Sequence, residues 1–184
     1  MTTKAVSAKD ISELRARTSA GMMDCKAALE EAHGDMDKAV ELLRKKGIAK
    51  AEKRGGRTAS QGLVVISSHL AGTDVAMIEL NCETDFVARN EEFIHLANEL
   101  GVLASQKAPV GVNEGTALDA QAFRGKKVAE IVKLASGTTG EAMTLKRVAH
   151  FTQAHGTVQS YLHFNGQVGV LLEIEGSRPL VARP

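Results

Sequence analysis

Two segments of the chain, 94 residues apart, carry the same hairpin pattern. Without gaps, Gly62 aligns with Gly156, Val64 with Val158, His69 with His163, Gly72 with Gly166 and Glu79 with Glu173. In the first segment, Leu63 to Ile66 is a β-rich run, Ala71-Gly72-Thr73 a turn and Val75 to Leu80 the return. In the second, Val158 to Phe164 and Val168 to Ile174 flank Asn165-Gly166, the strongest short hairpin signal a sequence offers. A hairpin built twice makes antiparallel sheet the repeated unit of the fold. The rest of the chain has helical periodicity, so the fold class is α+β.

The two hairpins lead into different segments. After Glu79 the chain runs through Thr84-Asp85-Phe86-Val87 into an amphipathic stretch, Glu91 to Ala104, with Phe93, Leu96, Ala97 and Leu100 at helical spacing. After Glu173 only a short tail rich in turn formers remains, ending Arg183-Pro184. The second copy thus lacks a helix to cover its sheet, an open liability unless another surface covers it. The chain reads as C-terminally truncated or as a short form.

Ahead of the hairpins, three short helices are expected. Ser7 is a candidate N-cap for a helix carrying Ile11 and Leu14. Met23 to His33 places Ala28, Leu29 and Ala32 inward and stops at Gly34. Asp35 caps a third helix with Ala39, Val40, Leu42 and Leu43, which Gly47 is expected to stop. Lys50, Lys53, Arg54 and Arg57 around Gly55-Gly56 then read as a basic flexible linker. It could touch RNA or simply be solvated; no aromatic is interleaved for base stacking. Further on, Lys107 to Leu118 reads as a loop, Lys127 to Ser136 as a helix and Thr144 to Phe151 as a strand. The expected domains are 1–50 (three helices), 51–61 (linker), 62–140 (first core subdomain) and 141–184 (an incomplete second one).

Residue types exclude several classes of chemistry. A net charge of +1 gives no general attraction to nucleic acid or membrane. Cys25 and Cys82 are too few for a disulfide framework or a cysteine-based zinc site. No signal-peptide pattern or apolar span is present, which points to the cytoplasm. The histidines lack metal-ligand spacing, and no phosphate-cradling glycine loop precedes a Lys-Ser/Thr pair, so no metal, cofactor or direct nucleotide binding is expected. A nucleophile pair of Cys82 with His69 on the facing strand is conceivable, but no orienting third residue is evident. In the Thr84–Val87 stretch two readings stand side by side. Thr84 or Asp85 caps a helical turn with Phe86 in the core, or Phe86 projects as an aromatic anchor beside the Asp85 carboxylate.

Three stretches carry a family resemblance. Asn81-Cys82-Glu83-Thr84-Asp85-Phe86-Val87-Ala88-Arg89-Asn90 is similar to the signature of bacterial elongation factor Ts. So is Arg17-Thr18-Ser19-Ala20-Gly21-Met22-Met23-Asp24-Cys25-Lys26-Ala27-Ala28-Leu29, followed by Lys38 to Gly47. Tyr161-Leu162-His163 through Gly169 to Glu173 resembles the family's second core repeat. The resemblance implies a three-helix module like ubiquitin-associated domains, then a core of two hairpin–helix repeats. It implies a guanine-nucleotide exchange factor, not an enzyme, whose partner is the GTPase elongation factor Tu. Asp85 and Phe86, set by Thr84 and Val87, would approach the side of the GTPase where Mg²⁺ is held. His163 and Gly169 would face another domain of the GTPase. Met22, Met23 and Asp24 would serve the N-terminal contact. A homodimer is left open, and so is a ubiquitin-associated-type adaptor without exchange activity. Val75 stands where the family often has glycine, and the helical protrusion and closing helix of longer members have no counterpart here.

Overall fold

The computed structural model describes residues 6–18, 20–70, 73–152 and 156–175. The turn expected at Ala71-Gly72-Thr73 and the tail after Glu175 lie wholly or partly outside them. The chain is mixed helix and antiparallel sheet, and it divides into two compact units. One comprises Met1–Arg57 with Lys133–Ala142, the other Thr58–Val132 with Met143–Pro184.

The first unit contains α1 (Ala8–Thr18), α2 (Met22–Glu31) and α3 (Met36–Arg54). Ser7 and Asp10 cap α1 reciprocally: each backbone N–H donates to the other's side chain at 3.1 Å. Asp35 accepts from the Lys38 N–H at 3.0 Å at the start of α3, and this bond holds the Asp35 carboxyl below the usual carboxylate range. Leu14, Cys25, Ala28, Leu29, Ala39 and Leu43 form a small core.

The third helix does not stop at Gly47. It continues to Arg54, so the start of the expected flexible linker is helical. Glycine inside a helix costs about 1 kcal/mol relative to alanine, and alone it favours a stop. Here Gly47 lies against Gly137 of α6 (Val128–Thr139); a Cβ on Gly137 would fall 2.7 Å from the Gly47 backbone. The two glycines let the helix backbones approach. Lys133 Nζ bonds Glu52 at 3.1 Å and Arg54 Nη1 donates to the Ser136 carbonyl at 3.2 Å, fastening the same contact.

The second unit is built on a four-stranded antiparallel sheet of order β1-β2-β6-β3: β1 (Gln61–His69), β2 (Asp74–Cys82), β3 (Gly111–Glu114) and β6 (Thr144–Thr152). Thus the strand after residue 141 lies in the same sheet as the first hairpin. The segment expected as a loop between 107 and 118 instead supplies edge strand β3 and a 3₁₀ turn, Gly115–Leu118. A two-residue ladder, β4 (Ala122–Phe123) with β5 (Lys126–Lys127), precedes α6.

One sheet face is covered by α5 (Glu91–Lys107). Its buried Phe93, Leu96, Ala97, Leu100 and Ala104 match the stripe expected from the sequence. Beneath it lie Val65, Ala76, Ile78, Leu80 and Val148, all buried. Gly101 meets Val65 and Ser67, where a Cβ would come within 2.9 Å and 2.8 Å of their side chains.

The second hairpin, β7 (Gly156–Leu162) with β8 (Gly169–Glu175), is a separate two-stranded sheet. Its register reproduces the first: Val64 faces Glu79, and 94 residues on, Val158 faces Glu173. Its turn is wider than the two residues Asn165-Gly166. It spans 163–168 and is closed by His163 N–H to the Val168 carbonyl at 2.8 Å and by Gly166 N–H to the His163 carbonyl at 2.9 Å.

Candidate partner-binding surface

The stretch Thr84–Val87 forms a single helical turn, α4 (Asp85–Ala88), between β2 and α5. Thr84 is its N-cap, with extended backbone and a side-chain oxygen accepting from the Val87 N–H at 3.4 Å. The Cys82 thiol donates to the Thr84 carbonyl at 3.1 Å, tying the turn to the end of the strand. Ala88 is buried beneath it, and Asn90 starts α5 by accepting from the Glu92 N–H at 2.8 Å. This bracing leaves Phe86 nowhere inward to go: the ring is 82% exposed. Thr84 therefore caps, as one of the two readings has it, while Phe86 projects, as the other has it. Asp85, half-buried, pairs with Arg89 one turn later at 3.1 Å.

His163 opens the wide turn of the second hairpin. Its ring bonds the Tyr161 hydroxyl at 2.7 Å and lies 4.4 Å, tilted, from the ring of Phe164. Phe164 is the most exposed large apolar side chain among the described residues, at 93%. Gly169 faces the first hairpin, where a Cβ would lie 2.7 Å from Val64 and 2.8 Å from Met77. The Val64 N–H, on the outer edge of β1, donates to the Gly166 carbonyl at 2.7 Å. Val64 lies three residues, about 10 Å at 3.3 Å per residue, from Gln61, the residue that pairs with Cys82 at the end of β2.

In the other unit, Met22 and Met23 open α2 and are 60% and 77% exposed. Asp24 is engaged by Lys50 at 2.9 Å.

Residues 83–183 match the family model described as Elongation factor TS. The chain belongs to the elongation factor Ts family. It is 45% identical to the Elongation factor Ts of Chlorobaculum tepidum over 97% of its own length and 62% of the relative's. It is 46% identical to that of Chlorobium phaeovibrioides, with the same coverage, and 45% identical to that of Clostridium botulinum strain Alaska E43 over 92% of this chain and 55% of the relative. The chain thus spans roughly three fifths of the length of the curated relatives it matches.

For this elongation factor Ts relative, the cysteine–histidine pair fails on geometry. His69 pairs with Asp74 and Cys82 with Gln61, at opposite ends of the same hairpin. Eight residues of strand separate them, about 26 Å at 3.3 Å per residue. Among the described residues no group of three His, Cys, Asp or Glu side chains could hold a metal ion, and no helix is long and apolar enough to cross a membrane.

Two features of the family member were not anticipated from sequence. The cluster Tyr161, His163 and Phe164 carries three of its rings within four residues, a signal available from the sequence. The other is Glu79, which takes Arg147 Nε at 2.6 Å, Asn81 Nδ2 at 3.1 Å and Lys146 Nζ at 3.4 Å. Burial pushes its carboxyl up, but the hydrogen bonds from Arg147 and Asn81 and the two positive charges outweigh it and hold the group below the usual range. Glu79 and Arg147 line a polar cavity of ≈ 310 Å³ along β1 with Asn81 and Gln167.

Proposed function

We propose that the chain acts in translation elongation, in the cytoplasm, as a guanine-nucleotide exchange factor for the GTPase elongation factor Tu. The observation that carries the reading is Phe86, presented almost fully to solvent on a capped turn whose neighbours are anchored. An exposed aromatic on a rigid base is what an interface hot spot requires, because little conformational entropy is lost when it docks. Mg²⁺ bridges phosphate oxygens in GTPases and neutralises their charge. Phe86 wedges between partner helices and shifts the elements that hold Mg²⁺ and the β-phosphate. Asp85 brings a carboxylate to the same region, and GDP leaves faster. The coupling is reciprocal: nucleotide weakens binding of this chain by the factor by which the chain weakens nucleotide. No covalent bond changes, so the activity is not enzymatic.

Met22, Met23 and Asp24 on the three-helix unit, read as a ubiquitin-associated-like module, provide a second contact. The 163–168 turn with His163 provides a third, and Gly169 seats that turn on the first hairpin. The shared register of the two hairpins supports reading them as copies of one ancestral unit.

The test is release of fluorescently labelled GDP from elongation factor Tu, followed by stopped flow with the 184-residue chain. Phe86→Ala should cut the stimulated rate at least tenfold, since truncating a hot-spot residue costs about 2 kcal/mol or more. Its melting temperature should stay within about 2 °C, as expected for an exposed side chain. A variant that stimulates release like the parent would sink the wedge.

A further inference from the structure

The Thr84–Asn90 turn closes its backbone without help from charged side chains. The N–H groups of Ala88, Arg89 and Asn90 donate to the carbonyls of Thr84, Asp85 and Val87 at 3.2, 3.1 and 3.0 Å. The Thr84 side chain takes the Val87 N–H, and Ala88 is buried beneath. The ion pair of Asp85 Oδ2 with Arg89 Nη2, at 3.1 Å, is therefore not needed to hold the turn. Its effect falls on the Asp85 side chain. An aspartate has three staggered χ1 wells, and this one is only half-buried. At the first position of a helical turn its carboxylate is drawn toward the N–H groups of the N-terminal end. Arg89 draws it the other way, to the C-terminal end of the turn.

We propose that Arg89 is a positioning residue for nucleotide exchange: it holds the Asp85 carboxylate in one orientation beside the Phe86 ring, ready to meet the GTPase. Arg89 is four residues from Asp85 and three from Phe86, the two spacings that make neighbours on a helical surface. Within the stretch 83–92, Glu83, Asp85, Glu91 and Glu92 are acidic and Arg89 is the one base. The other carboxylates of that stretch repel Asp85, and Arg89 attracts it. An exposed pair of this kind is weak in water. It strengthens as docking removes the water around it. Its contribution is thus greatest on docking, where a carboxylate already oriented loses less freedom than a rotating one.

This inference rests on the exchange reading, and one set of stopped-flow measurements separates the two. Release of fluorescently labelled GDP from elongation factor Tu is followed with the 184-residue chain and its variants, at concentrations below saturation. Arg89→Gln should slow stimulated release about two- to fivefold, the range that exposed ion pairs span. Arg89→Lys, which keeps the charge, should recover at least about half of the parent rate. In an Asp85→Asn background, Arg89→Gln should change nothing further, because its effect passes through the carboxylate. Melting temperatures of all variants should stay within about 2 °C of the parent, since the backbone bonds of the turn remain. An Arg89→Gln variant that releases GDP like the parent, a lysine that does not rescue, or an equal loss with and without the Asp85 carboxylate overturns the proposal. If Phe86→Ala slows release while Arg89→Gln does not, the exchange reading stands and only the positioning role falls. If the parent chain does not speed release, both fall.

Discussion

Replacing Gly169 with alanine tests how the second hairpin is seated. The added Cβ would lie 2.7 Å from Val64 Cγ1 and 2.8 Å from Met77 Sδ. Ordinary carbon contacts are about 3.5–4.0 Å, so each neighbour must give by roughly 1 Å. The two differ in compliance. Met77 is unbranched and can swing its sulfur aside, whereas Val64 is stiff about χ1 and its backbone is bonded to Gly166. Overpacking of this kind costs about 1–3 kcal/mol. Against it, alanine restricts the unfolded chain relative to glycine and returns about 0.4–1 kcal/mol. The net loss is about 1–2 kcal/mol, a fall in melting temperature of about 2–8 °C for a chain of this size. Thermal unfolding monitored by circular dichroism reads it directly. Met77→Ala, costly alone, should become less costly in the Gly169→Ala background, because it opens room for the new methyl. A Gly169→Ala variant as stable as the parent, or a double mutant whose losses simply add, would refute the seating of the hairpin on Val64 and Met77.

Single contacts set the other expected outcomes. Thr84→Ala removes the cap of α4 and should cost about 0.5–1 kcal/mol in chemical denaturation, the low end for N-caps because the bond is long. Gly137→Ala should cost more than Gly169→Ala, about 2–3 kcal/mol, because the obstacle is the Gly47 backbone rather than a movable side chain. Glu79 binds a proton less readily in the folded state than in the unfolded chain. Its stabilisation is therefore complete above the ordinary glutamate pKa of about 4.3 and is lost as pH falls below it. Glu79→Gln should flatten the fall in stability below about pH 5, and an unchanged acid limb would show that Arg147 and Asn81 do not hold the carboxylate.

The sequence makes legible whatever depends on near neighbours. The cap at Asp35, the apolar stripe of α5 and the pairing of both hairpins come from spacings within about twenty residues. Features fixed by distant partners stay hidden. The segment 111–114 is only four residues long, too short to show alternation, and becomes a strand because β6 offers an edge to it. Gly47 reads as a stop until Gly137 is known to lie against it. Phe86 is balanced between core and surface in the sequence because residue type cannot say which way a one-turn helix is rolled; the burial of Ala88 and the cap at Thr84 decide it.

The glycine contact between α3 and α6 also sets a timetable for synthesis. Gly47 leaves the ribosome 90 residues before the glycine it rests on. At about 5–20 residues per second, the second half of α3 waits roughly 5–18 s for its partner. Through that interval Glu52 and Arg54 lack their α6 partners, and the three leading helices must persist on their own small core. A nascent chain stalled before residue 137 should accordingly be cleaved within 47–54 by a protease that spares the same segment in the completed protein.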